Sequence, residues 1–119
     1  MHSLRERYKS NNRLFAKIVT TNEMETRIMK GDLIIFEEFN LGVDKIYNGD
    51  ICLVSKGDNF ALIREMATKD NVFCFNLLNV TMPPRMYTIE EIRKENINII
   101  GRAVTLIHDF PKRDSNENR

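Results

Sequence analysis

Short apolar runs broken by polar turns dominate this chain, and sustained helical periodicity is scarce. Arg13 to Val19, "RLFAKIV", alternates loosely and ends in β-branched residues, which predicts a strand. Asp32 to Glu37, "DLIIFE", is apolar at consecutive positions, the pattern of a strand covered on both faces. Ile51 to Lys56 and Phe60 to Met66 flank "GDN" and read as a hairpin, and "NGD" at Asn48 to Asp50 marks a turn before them. Val72 to Leu77 is a further strand, and Ile97 to His108 is a long final one, bulged or bent at Gly101.

One stretch breaks the pattern. In "TIEEIRKEN" the residues Thr88 and Glu91 stand at capping-box spacing, which predicts a short helix after Met82-Pro83-Pro84. The whole therefore reads as a mostly β domain: a bent sheet or partial barrel of six to seven short strands with one short helix. Residues 1–12 read as a linker or short N-terminal helix, 13–110 as the domain, and 111–119 as a disordered tail without apolar anchors. Too few residues precede the first strand for a helix-turn-helix unit within this chain.

Composition narrows the function classes. With 119 residues the chain supports one ordinary core, and a net charge of +1 argues against binding nucleic acid by a concentrated basic face. Cys52 and Cys74 lack CxxC spacing and read as reduced, core-filling thiols. No apolar run reaches membrane-helix length and no secretory signal opens the chain, so a cytoplasmic protein is expected. His2 and His108 with the isolated cysteines make no metal cluster, so neither metal nor cofactor is expected. The adjacent acids Glu37-Glu38 and Glu90-Glu91 read as solvated, and Phe73 and Phe75 as core.

The candidate chemistry lies in "TNEMETRIMKGD", a polar loop and Gly-Asp turn in front of a buried strand. Taken in order, "NEMETRIMKGDLIIF", "NGDICLV", "FALIREM", "FNLLNVTMPP" and "IIGRAV" resemble the C-terminal domain of the LexA-like repressors. That family includes phage repressors and the mutagenesis protein UmuD, and shares a peptidase fold with signal peptidases. The resemblance spans roughly residues 13–108.

It implies a serine eight or nine residues before the turn glycine and a lysine base on a later strand. A hydroxyl attacks only when a base takes its proton, and lysine can do so only where burial leaves it neutral. Here Met24 matches the family methionine and Gly31-Asp32 the family turn, while the serine position falls on Glu23 and the lysine position on Arg64. Arginine stays protonated in proteins and cannot be a general base. The Ala-Gly or Cys-Gly bond at which such proteins cut themselves is also missing from the chain.

The resemblance thus implies a non-catalytic domain with a degenerate cleft, in which Glu23 and Arg64 are expected to form an ion pair. It implies a bacterial or phage transcriptional regulator, such as those of the SOS response. The domain would serve homodimerisation or partner binding and would reach DNA only through a domain upstream of Met1. The pairing surface is expected at a strand edge near Ile97 to His108. Two alternatives stand beside it: a self-cleaving serine-type peptidase with an unrecognised nucleophile, and a stand-alone UmuD-like interaction protein.

Overall fold

A computed structural model describes residues 2–3, 12–22, 24, 27–57, 61–77 and 85–108. Its elements are β1 (His2–Ser3), β2 (Leu14–Ile18), β3 (Leu33–Glu38), β4 (Ile51–Lys56), β5 (Leu62–Lys69), β6 (Val72–Asn76), β7 (Arg85–Thr88), α1 (Ile89–Lys94) and β8 (Ile97–Ile107). Seven strands form one open antiparallel sheet in the order β2-β3-β8-β4-β5-β6-β7, and the two-residue β1 pairs with β8. The mostly β class with one short helix is as the residue pattern predicts. Among the described residues, no helix is long and apolar enough to cross a membrane.

The last strand in sequence is central in space. β8 pairs with β3 along Leu33↔Ile107 to Glu38↔Gly101 and with β4 along Cys52↔Arg102 to Lys56↔Ile97. This corrects the expectation of an exposed edge near Ile97 to His108. An apolar strand that is buried at every second position or more is stabilised by neighbours on both sides, and here it has them. The free edges of the described sheet belong to β2 and β7.

Two bulges in β8 decide which side chains share a face. The register skips Ile100 against β4 and Val104 against β3. Simple alternation would put Ile97, Ile99 and Gly101 together. The bulge at Ile100 instead turns Gly101 and Ala103 to one face and leaves Arg102 on the face of Ile97 and Ile99. Each face carries its own core. The first holds Ile34, Phe36, Ile51, Leu53 and Ala103, under the loop residues Met24 and Ile28. The second holds Cys52, Val54, Met66, Phe75, Ile97 and Ile99, covered by Phe39, Ile46 and the helix residue Ile92.

Local chemistry explains the joints. A Cβ on Gly101 would lie 2.6 Å from the Phe15 ring and 3.1 Å from Phe36 Cβ, so only glycine admits the stacked Phe15–Phe36 pair, with centroids 5.3 Å apart. Asp70 and Asn71, both at positive φ, form the tight turn between the paired Lys69 and Val72. Thr88 Oγ1 accepts from Glu91 N at 3.1 Å, and Thr88 N donates to Glu91 Oε1 at 2.8 Å, completing the capping box of α1. The strand β7, absent from the residue-pattern reading, forms because Tyr87 pairs beside Phe73 and packs its ring edge-on to Phe75 at 5.5 Å.

The N-terminal His2–Ser3 lies in register with Leu106 and Thr105 of β8 as a two-residue strand, and residues 4–11 of the expected linker or helix lie outside the described residues. The expected tail, 111–119, falls outside the described residues, as does the "GDN" turn at 57–59 apart from its first residue, Gly57.

Candidate functional site: the loop before β3

The segment Val19 to Asp32 joins two paired strands, so its ends are fixed by backbone bonds. Gly31 N donates to Val19 O and Val19 N to Asp32 O, both at 2.8 Å, with Gly31 at φ 97°. The Asp32 carboxylate is buried; its Oδ2 accepts from Met29 N at 2.9 Å and lies 2.8 Å from His108 Nδ1. Asp32 therefore ties the turn to the residue that follows β8. The family turn residues Gly31 and Asp32 serve here as a structural clasp.

Two apolar side chains hold the loop down. Met24 and Ile28 are buried in the first core, and Ile28 N donates to Met24 O at 3.0 Å, one helical turn. Arg27, between them in the chain, reaches across to β5 and pairs with Glu65 Oε2. The Arg27–Glu65 contact went unread in the sequence, because nothing in local spacing connects positions 38 apart.

Glu23 lies outside the described residues, and with it the expected Glu23–Arg64 pair. Arg64 itself is described. In register, Glu37 faces Arg102, Arg102 faces Cys52, and Cys52 faces Arg64, so these four share one row and one face across β3, β8, β4 and β5. That is the second face. Ile63 and Glu65 point to the first face, where Ile63 packs against the core that holds Met24 and Ile28. Arg64 lines a groove on the opposite side with Val54, Phe75, Tyr87 and Ile97, and its Nη1 donates to Ile63 O at 2.7 Å.

The same row holds a charged cluster within the second core. Glu37 is 0% exposed and Arg102 5%, with Arg102 Nε 2.9 Å from Glu37 Oε2. Arg102 also donates to the Lys45 carbonyl, lies 3.4 Å from Asp50 Oδ2, and sits 5.0 Å above the Phe39 ring. This corrects the reading of Glu37 as solvated: adjacent acids point to opposite faces of a strand, so Glu38 is exposed and Glu37 buried. Beside the cluster, burial pushes the Cys52 thiol far up, with Asp50 and Glu37 adding to the rise and Arg102 opposing it. Cys52 and the half-buried Cys74 are free thiols.

The described residues form a mostly β domain, one bent antiparallel sheet with a clasped loop laid on one face, and its class comes from comparison with known families. The family model described as Peptidase S24-like matches residues 2–104, and the chain belongs to that family. The match begins at β1, ahead of the boundary at residue 13 that the motifs marked. No curated protein matches the chain.

Proposed function

We propose that this chain is a non-catalytic Peptidase S24-like domain of a bacterial or phage transcriptional regulator, whose role is association. The observation that carries the reading is the pair of residues at the family's reactive positions. Glu23 stands where the resemblance places the nucleophile, and Arg64, where it places the base, is turned by the strand register to the face away from the loop. A guanidinium remains protonated, so it cannot activate a hydroxyl. The side of β5 that faces the loop adds support, since it presents an aliphatic residue, Ile63, and an ion-paired carboxylate, Glu65.

The association we propose is a homodimer through the β2 edge. Leu14 is 53% exposed and Ile18 39%, and they lie on one face of an edge strand with Ala16 between them. Exposed apolar positions on an unpaired edge favour strand addition by another chain. DNA contact, in this reading, belongs to a domain encoded upstream. Sedimentation of the wild type against Leu14→Glu tests the assignment: a dimer that the substitution converts to monomer supports it, and a wild-type monomer at micromolar concentration contradicts it.

A further inference from the structure

On the face opposite the loop, β4, β5, β6, β7 and the start of β8 line a groove of about 260 Å³. Its floor is apolar, formed by Val54, Phe75 and Ile97, and three cations rim it: Lys56, Arg64 and Arg85. Among the described residues that line it there is no aspartate or glutamate. We propose that this groove docks an acidic peptide segment of a partner protein, in which carboxylates alternate with large apolar side chains.

Three observations select that occupant. The volume lies below the roughly 300–1,000 Å³ of small-molecule sites, so it suits one anchoring side chain better than a whole cofactor. The cations converge on an apolar floor and do not form a basic stripe, which fits a carboxylate beside an apolar residue and not a run of phosphates. The adjoining β7 is an edge strand of the described sheet and sends Arg85 and Tyr87 to the groove, so an extended peptide can add to its edge while sending alternate side chains inward.

The present partners of Lys56 and Arg85 are compatible with exchange. Lys56 pairs with Glu95 at 3.1 Å, and both side chains are substantially exposed, so the pair is weak and screened. Arg85 Nη2 donates to the Tyr87 hydroxyl at 3.2 Å, a neutral partner. A guanidinium has five donors, so Arg85 can keep that bond and meet a carboxylate bidentately.

The proposal rests on the reading of this domain as a binding module, but on residues separate from the β2 edge. The test uses the full 119-residue chain and a fluorescein-labelled ten-residue peptide of alternating glutamate and leucine, with its glutamine–leucine counterpart, in fluorescence anisotropy. The acidic peptide should bind at least about tenfold more tightly than the neutral one. Arg64→Gln and Arg85→Gln should each weaken binding, while Lys17→Gln on β2 should not. Amide shifts on titration should centre on Val54, Phe75 and Tyr87. Equal affinity for both peptides, shifts centred on β2, or unweakened binding by the double variant Arg64→Gln/Arg85→Gln at wild-type melting temperature would overturn it. So would binding of phosphatidylglycerol vesicles or duplex DNA through these arginines in place of the peptide. Self-association and intact mass, measured on the same samples, bear on the functional reading alone.

Discussion

Arg27 in the loop is ion-paired with Glu65 on β5, so the segment that resembles the family's nucleophile loop is bound to the strand that resembles the family's base strand. The base position itself, Arg64, turns to the other face. Both side chains of the pair are partly exposed, which limits its strength to about 0.2–1 kcal/mol. A double-mutant cycle of Arg27→Ala and Glu65→Ala in urea should return a coupling energy in that range, reduced by added salt. A coupling indistinguishable from zero at low salt would show that the contact does not hold the loop.

The cluster around Arg102 should be far less forgiving. Arg102→Met leaves the Glu37 carboxylate buried without its cation, and removing one partner of a buried pair costs about 3–5 kcal/mol. Replacing both, with Glu37→Leu and Arg102→Met, should recover much of that loss, because the most deeply buried carboxylate, Glu37, is then gone with its cation and only the partly exposed Asp50 is left behind. Equilibrium unfolding of the three proteins checks the order. A double variant less stable than Arg102→Met would indicate that the pair does more than offset its own burial.

Gly101 makes a packing prediction. Gly101→Ala pushes a methyl group into the Phe15 ring and should cost about 1–3 kcal/mol. Combining it with Phe15→Ala should be less than additive, since the second change removes the atom that is struck. Additive losses would mean that the strain comes from the bulged backbone instead.

The buried thiol makes the pH prediction. Burial holds Cys52 protonated in the native state far above the pH at which a thiol ionises in the unfolded chain, about 8.5. The folded pKa is raised, so the stability this group contributes is fully present below about pH 8.5 and falls as pH rises beyond it. The loss has a limiting slope of about 1.4 kcal/mol per pH unit. Cys52→Ala should flatten this alkaline decline. In the native protein Cys74, which is less buried, should react with a thiol reagent before Cys52.

Much of this architecture is legible in the residue pattern. The runs at Ile51–Lys56 and Val72–Asn76, the Thr88–Glu91 capping box and the irregularity beside Gly101 all appear where local pattern predicts them. What escaped depends on non-local geometry. β7 is four residues after a proline pair, and only its pairing with β6 makes it a strand. The face of Arg102 could not be read, because a bulge at Ile100 reverses the alternation that any strand pattern assumes. Its partner Glu37 is 65 positions away and looked like half of a solvated acid pair. Likewise the final strand looked like an edge until β3 and β4 were seen on its two sides. In the loop, the Gly31-Asp32 turn was legible from its residue types, but motif order says nothing about which side of β5 Arg64 occupies.

The central claim, that this peptidase-type domain does not cut itself, is tested most directly by intact-mass measurement after prolonged incubation of the full chain at alkaline pH. A lysine base, were one at work, would be neutral and most active under those conditions. The account predicts a single species at the mass of the uncut chain. Discrete fragments that accumulate at a rate independent of protein concentration would contradict it.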